Sequence, residues 1–140
     1  MQQALFLAQQ AFGQKEVPVG AVLLKDGKIV AQSHNLCKRQ NNPLAHAEFL
    51  VIEKALQTLK ASDLQECDLY VTLEPCAFCA GAIALVRLKR VFFGAYDPKG
   101  GGVDHNAQVF RHSFHKPFVM GGICEKESQS LLQSFFMTKR

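Results

Sequence analysis

Four residues in two short segments have the types and spacing of a catalytic metal site. His46 and Glu48 stand two residues apart, and Cys76 and Cys79 form a Cys-x-x-Cys pair directly after Pro75. Imidazole and thiolate are the ligands that zinc prefers, and three protein ligands leave the fourth tetrahedral position open for water. Glu48 is not needed as a ligand, so it is free to move protons to and from that water. The sequence therefore predicts one Zn²⁺ per chain, held by His46, Cys76 and Cys79, with Glu48 as the catalytic acid–base.

Each half of this set has a simpler explanation when it is taken alone. A lone Cys-x-x-Cys can be a redox pair or half of a structural zinc site. A redox pair needs neither His46 nor Glu48. A structural site needs a fourth ligand, and the remaining candidates show no metal spacing to the pair: Cys37, Cys67, His34 and His105. Together the four residues match the His-x-Glu…Pro-Cys-x-x-Cys pattern, which resembles that of zinc deaminases acting on nucleobases.

Length, composition, cysteine count and net charge limit the kind of protein that can carry this site. A chain of 140 residues with 48% hydrophobic residues is predicted to form a single domain over residues 1–140. No apolar run approaches the roughly 20 residues that span a bilayer, so no membrane partner is expected. An odd number of cysteines, five, without a recognisable secretory signal favours reduced thiols and a cytoplasmic location. The net charge of +4 is a mild bias toward a polyanionic partner.

Helices and strands that would position the site follow from periodicity and turn signals. Apolar residues at helical spacing predict helices over residues 1–12, 46–60, 76–88 and 126–139. Runs rich in β-branched residues predict strands over 17–24, 29–33, 68–73 and 91–95, the first two joined at Asp26-Gly27 as a hairpin. Residues 109–119 fit neither pattern. Residues 97–106, with three consecutive glycines, are expected to form a functional loop. This order predicts helices packed on a mixed sheet in a layered α/β domain.

These motifs and their surroundings resemble the bacterial tRNA-specific adenosine deaminases, within the cytidine and deoxycytidylate deaminase superfamily. The resemblance covers nearly the whole chain, and it rests on Asn35 and on the segments 16–22, 45–48, 70–76, 79–82, 93–95, 97–99 and 135–136. It implies a three-layer α/β/α cytidine-deaminase-like fold with a central mixed sheet of about five strands flanked by helices. The zinc segments alone define only the superfamily, and the flanking segments carry the specificity.

The resemblance also implies roles for individual residues. Glu48 would shuttle protons while His46, Cys76 and Cys79 hold zinc. Asn35 and the backbone at Ala47 would orient a flipped adenine, and Asp97 and Lys99 would contact the sugars or phosphates beside it. Without the family, Asn35 and Asp97 are ordinary turn residues and Lys99 is a solvated charge. Departures from the family are Phe78, Leu44 and the pair Asp104-His105, and the last of these leaves local RNA contacts open.

The activity expected from the resemblance is hydrolysis of adenosine to inosine at the first, or wobble, anticodon position of an arginine tRNA. Expected partners are the anticodon stem-loop and a second copy of the chain in a homodimer. Basic residues that would contact phosphates, or simply solvate the surface, cluster at Lys38-Arg39, Arg87-Lys89-Arg90, Arg111-His112, His115-Lys116 and Lys139-Arg140.

Two other function classes remain open at this stage. One is a free nucleobase or nucleoside deaminase such as a guanine deaminase with the same metal centre. Cytidine deaminases carry cysteine at the position of His46, which counts against that class. The core motifs do not distinguish a guanine deaminase from a tRNA-specific adenosine deaminase. The other is a zinc or RNA-binding module without activity, which would leave Glu48 without a function.

Overall fold

The computed structural model describes residues 1–139, and Arg140 lies outside the described part. Its elements, in chain order, are α1 (Gln2–Gly13), β1 (Gly20–Lys25), β2 (Lys28–His34), α2 (Ala47–Thr58), a 3₁₀ helix (Ala61–Glu66), β3 (Cys67–Leu73), α3 (Ala77–Val86), β4 (Arg90–Ala95), α4 (Val109–His112), β5 (Phe118–Met120) and α5 (Glu125–Met137). Within residues 1–139, no helix is both long and apolar enough to cross a membrane.

The five strands form one mixed sheet in the order β2-β1-β3-β4-β5. β1 pairs antiparallel with both β2 and β3, whereas β3, β4 and β5 run parallel. Parallel neighbours require crossover connections, and α3 supplies the one between β3 and β4. The carboxyl ends of β3 and β4 therefore open on the same edge of the sheet, which is the usual place for a ligand site.

Helices cover both faces of the sheet, because alternate strand residues point to opposite sides. Ala21, Leu23, Leu69, Val71 and Val91 pack with buried residues of α2 and α3 in the main core. On the other face, Val22 packs with residues of α1 in a second cluster. A Cβ at Gly94 would lie 2.3 Å from Ser128 Oγ, which places α5 against β4 on the α1 side. The layered α/β architecture and its five-stranded mixed sheet are thus confirmed.

The predicted hairpin has the turn geometry that its sequence demands. Asp26 and Gly27 both have positive φ, at 53° and 75°. Two consecutive positive values define the type I′ turn, whose twist matches that of two paired strands. The first strand, however, begins at Gly20 and not at Val17. Pro18 has no N–H to donate to a ladder, so the chain joins the sheet only beyond it.

Two segments differ from the sequence-based expectation or go beyond it. Residues 109–119, which fit no pattern, begin with the one-turn helix α4 and end inside the three-residue edge strand β5, and both elements are too short to show periodicity. The 3₁₀ helix before β3 was not expected. α3 ends earlier than expected, because Arg87 adopts the left-handed conformation with φ of 61° and closes the helix. α5 ends at Met137, two residues before the expected end.

Candidate active site

The three candidate metal ligands lie at the beginnings of two neighbouring helices. His46 is the N-cap of α2 and Cys76 is the N-cap of α3, with Cys79 in the first turn of α3. The ligand atoms of the three residues all lie within 4.8 Å of one another. His46 Nδ1 is 3.5 Å from Cys76 Sγ and 3.4 Å from Cys79 Sγ. The fold therefore brings together residues that are 30 positions apart in the chain.

This donor set fits a zinc ion in both chemistry and size. Zinc–sulfur bonds of about 2.3 Å and a zinc–nitrogen bond of about 2.0 Å at tetrahedral angles put nitrogen and sulfur roughly 3.5 Å apart. The observed Nδ1–Sγ distances of 3.5 and 3.4 Å match that spacing. His46 would coordinate through Nδ1. Together, His46, Cys76 and Cys79 could occupy three of the four positions around a tetrahedral zinc ion.

The electrostatics of the site favour negatively charged sulfur. A hydrogen bond from Cys79 lowers the pKa of Cys76 to about 4, with burial opposing it and His46 adding to it. The same shared proton, together with burial, raises the pKa of Cys79. His46 has a raised pKa, mainly because of its hydrogen bond with Cys76. Exposed N–H groups at the start of α3 also favour thiolate. Before any cation binds, the site thus favours one thiolate, Cys76, while the shared proton stays on Cys79 and would leave when zinc binds.

Glu48 lies beside the cluster and is almost completely buried, with 5% of its surface exposed. Burial raises its pKa to about 7, although its own backbone N–H and the charge of His46 pull the value down. It belongs to the first turn of α2, two residues after His46. A carboxyl that changes protonation near neutral pH is suited to take and return a proton.

A cavity of about 240 Å³ opens in front of this cluster, and Glu48, His46, Cys76 and Asn35 all line it. Asn35 Oδ1 accepts a hydrogen bond of 2.9 Å from the Ala47 N–H. That bond fixes the orientation of the amide, because only the oxygen can accept. The Ala47 N–H is therefore already in use, and Ala47 acts on the cavity through Asn35, whose Nδ2 donors remain for a ligand.

Asp97 and Lys99 differ in the cavities that they line. Asp97 lines both the 240 Å³ cavity and a neighbouring one of about 610 Å³, whereas Lys99 lines only the larger. Asp97 Oδ1 accepts the N–H groups of Lys99 and Gly100, which makes a tight turn. The structure thus places Asp97 in the cavity that His46 and Cys76 also line, and leaves Lys99 exposed at the outer cavity.

Two buried carboxylates were missed by the sequence analysis. Glu74 follows β3, is 1% exposed and accepts N–H groups from the loop that begins at Asp97. Glu16 is 2% exposed and accepts the N–H groups of Lys38 and Arg39. The available signal was an acid placed inside an otherwise apolar segment, such as Leu73-Glu74-Pro75, where a solvated charge is not expected.

Some of the basic residues form a group at the end of α5. The Nζ atoms of Lys38 and Lys139 lie 5.9 and 5.2 Å from the centre of the Phe135 ring. Lys38, and more weakly Lys15, lower the pKa of Lys139. Arg90 is instead paired with Asp68 at 2.7 and 2.8 Å. The basic clusters therefore differ in character, and Arg140 of the last one lies outside the described residues.

Comparison with known proteins agrees with this geometry. Residues 1–140 match the model of the MafB19-like deaminase family, so the fold and the site define a deaminase. A tRNA-specific adenosine deaminase of Rickettsia typhi is 44% identical over 144 aligned positions, covering 100% of this chain and 97% of that relative. The Bacillus subtilis protein of the same name is 43% identical and covers 100% of this chain and 88% of the relative. The chain belongs to the family of tRNA-specific adenosine deaminases.

Solved structures agree at the level of three-dimensional shape. A structure from studies of A-to-I editing by tRNA:A34 deaminases at the wobble position of transfer RNA superposes with a TM-score of 0.91 and 44% identity, covering 94% of this chain and 97% of that chain. A guanine deaminase from Nitrosomonas europaea superposes with a TM-score of 0.81 at 19% identity over 96% of this chain and 81% of that chain. The second likeness concerns the fold alone. The family expected from the sequence motifs is confirmed.

Proposed function

We propose that this chain hydrolyses adenosine to inosine at the wobble position of a tRNA, an arginine tRNA, in the cytoplasm. Its relatives in Rickettsia typhi and Bacillus subtilis carry the name tRNA-specific adenosine deaminase. The single structural observation that carries the deaminase chemistry is the placement of buried Glu48 in the same cavity as His46 and Cys76, beside the His46, Cys76 and Cys79 cluster. The choice of a tRNA substrate is supported by the names of those relatives.

The chemistry follows from what the residues can bind and move. His46, Cys76 and Cys79 would hold a zinc ion, which would supply a Lewis acid able to activate water at neutral pH. Asn35 orients the adenine by donating from Nδ2, since its Oδ1 is committed to Ala47. Glu48 takes one proton from the attacking water and gives it to ring N1 while the water oxygen bonds to C6.

Glu48 then completes the reaction. It takes the second proton from the new C6 hydroxyl and gives it to the amino group. The C6–N6 bond breaks and ammonia leaves, so adenosine and water become inosine and ammonia. A base in an anticodon loop suits this site because an unpaired nucleotide costs little to extract from its stack.

Binding of the surrounding RNA is supported by charge and by the outer cavity. Lys38 and Lys139 meet at Phe135, and Lys99 lines the 610 Å³ cavity beside Asp97. Phosphates that flank the flipped adenosine would be met by these ammonium groups, which makes binding sensitive to salt.

We further propose that the protein is a homodimer. Two large apolar side chains near α3 and α4 are exposed to water: Leu85, on α3, is 85% exposed, and Phe114, just after α4, is fully exposed. Both line one groove between α3 and α4. Soluble proteins usually cover such a patch with a partner surface. A second copy, meeting the first through this α3–α4 face, would do so.

The test is direct. The zinc-loaded protein is incubated with an anticodon stem-loop of an arginine tRNA that carries adenosine at the wobble position, and inosine is measured by nucleoside chromatography. Matched reactions contain the same RNA with that adenosine moved elsewhere in the loop, and free guanine. We expect inosine only from the first. Xanthine from free guanine without any inosine from RNA would overturn the proposal in favour of a free nucleobase deaminase.

A further inference from the structure

Glu74 is a buried carboxylate that the proposed reaction does not use. It stands between the end of β3 and the metal segment Pro75-Cys76, and its side chain is completely buried. Its Oε1 accepts the Asp97 N–H at 3.0 Å and His105 Nδ1–H at 2.8 Å. Its Oε2 accepts the N–H groups of Val103, Asp104 and His105 at 3.1, 2.9 and 3.2 Å. Five N–H groups thus converge on one carboxylate.

All five donors belong to the substrate loop, which we define as residues 97–105. This loop contains no helix or strand, so Glu74 replaces the ladder that regular structure would provide. The loop also lies directly on the metal segment: the Gly102 N–H donates to the Pro75 carbonyl at 2.8 Å. Close approach needs glycine, since a Cβ at Gly101 would lie 2.4 Å from Glu74 Oε2.

A carboxylate is the only side chain of this length that satisfies all five donors. A carboxylate accepts at both oxygens, whereas an amide replaces one of them by an NH₂ donor. With glutamine at position 74, one orientation would turn NH₂ toward the Asp97 backbone N–H and the His105 Nδ1–H. The other would turn it toward three backbone N–H groups. Either orientation leaves buried donors facing a donor, which is costly.

The loop held in this way forms walls of the site. Asp97 and Gly100 line both the cavity at the metal cluster and the outer cavity, and Lys99 lines the outer one. We propose that Glu74, together with His105, is a positioning residue for deamination. It fixes the substrate loop on the metal segment so that Asp97 and Lys99 stand ready for the RNA. This inference rests on the proposed function for its kinetic consequence, but its structural part is testable without RNA.

The experiment compares the zinc-loaded wild-type protein with Glu74→Gln. Backbone hydrogen exchange is followed at Val103, Asp104 and His105, zinc is counted per chain, and kinetics are measured on the anticodon stem-loop. We expect unchanged zinc content, amide exchange faster by about 10- to 100-fold in the loop, and kcat/KM lower by about 10²-fold. Most of the loss should lie in KM, because the loop contributes substrate binding rather than proton transfer.

A second variant covers the case in which Glu74→Gln does not fold. His105→Ala removes one side-chain donor at the partly exposed end of the network and leaves the four backbone donors in place. We expect the same pattern at smaller size, roughly a 5- to 10-fold rise in KM with kcat unchanged. Asp63→Asn is the matched control, because Asp63 also accepts a backbone N–H and a side-chain donor, but at the 3₁₀ helix. It should leave loop exchange and KM unchanged.

The outcomes separate the two proposals. Loss of zinc in Glu74→Gln without faster loop exchange would assign Glu74 to the metal segment and overturn the inference. Unchanged loop exchange and unchanged KM in His105→Ala would overturn the part that His105 plays. If wild-type protein forms no inosine from the RNA, the proposed function fails, while the exchange measurement still decides whether Glu74 holds the loop.

Discussion

Glu48 shows how burial changes the chemistry of one residue. In water its carboxyl would be ionised at neutral pH, but in this cavity its pKa rises to about 7 because burial disfavours the charge. Before a cation binds, such a carboxyl exchanges its proton near neutral pH. A zinc ion beside it would lower this pKa and favour the carboxylate form, which accepts the first proton.

Glu48→Gln should abolish proton transfer and leave the metal in place. Glutamine has nearly the same shape but cannot accept and return a proton. We expect deamination to fall by about 10²- to 10⁴-fold with zinc content unchanged. Inosine formation and metal analysis on the same sample check this. Glu53→Gln, an exposed position on the same helix, is the control and should retain full activity. Full activity in Glu48→Gln would remove Glu48 from the mechanism.

Asn35→Ala should affect both stability and substrate binding. The substitution leaves the buried Ala47 N–H at the start of α2 without an acceptor. We expect unfolding free energy to fall by about 1–3 kcal/mol in urea titrations, and KM to rise. Asn42→Ala removes a similar side-chain bond to a backbone N–H on the exposed surface. Its effect should stay within about 0.5 kcal/mol. Equal losses in the two variants would contradict the role of burial.

At the scale of residues, the sequence reveals the candidate metal ligands better than the residues that position the loops around them. His46, Cys76 and Cys79 could be grouped before any fold was known, because few residue types bind zinc and their spacing is restricted. The role of Glu74 could not, since its five donors come from a loop that begins 23 residues later and exists as a donor set only after folding. The hydrogen bond from the Ala47 N–H to Asn35 Oδ1 could not be predicted from the sequence for the same reason.

At the scale of elements, α1 packs on β1 with no room between them. A Cβ placed on Gly20 would lie 2.0 Å from the Ala4 carbonyl oxygen and 2.7 Å from the Ala8 N. Both are backbone atoms of α1, so neither can move aside as a flexible side chain would. The direct contact of helix backbone and strand backbone sets the position of the whole outer layer on this side.

Gly20→Ala should therefore destabilise the protein by forcing α1 away from the sheet. We expect a loss of about 1–3 kcal/mol in unfolding free energy, measured by chemical denaturation. Gly13→Ala is the matched control, because a Cβ there meets nothing within 4 Å. That variant should be unchanged or slightly more stable, since alanine is the better helix former. A Gly20→Ala protein as stable as wild type would show that α1 can shift freely.

Elements with a strong local signal were predictable, and those defined by distant partners were not. The hairpin could be predicted from Asp26-Gly27, because a two-residue hairpin turn requires positive φ values and these two residue types adopt them. β5 has three residues and pairs only with β4, so nothing in its own sequence marks it as a strand. β5 is a strand because it pairs with β4 at the edge of a sheet whose other strands come from earlier in the chain.

At the scale of the whole molecule, the α3–α4 face is the surface through which we propose that two copies of the chain meet. We expect Leu85→Lys to shift the protein from dimer to monomer, because Arg87 lines the same groove and a second positive charge would be buried beside it. Sedimentation at several concentrations measures this. Ile29→Lys, at an exposed apolar residue on β2, is the control and should leave assembly unchanged. Wild-type protein that sediments as a monomer at all concentrations would contradict the homodimer.

The position of the metal ligands has a consequence for heat resistance. His46 caps one helix and Cys76 caps another, so an ion bound between them joins two parts of the chain that would otherwise separate on unfolding. At a free ion concentration a thousandfold above the dissociation constant, such an ion adds about 4 kcal/mol to the stability of the folded state, or roughly 14 °C in melting temperature. Stripping the protein with a chelator should lower its melting point by about that much, and restoring zinc should return it. A melting temperature that does not change on chelator treatment would mean that the polypeptide alone holds the two helix ends together.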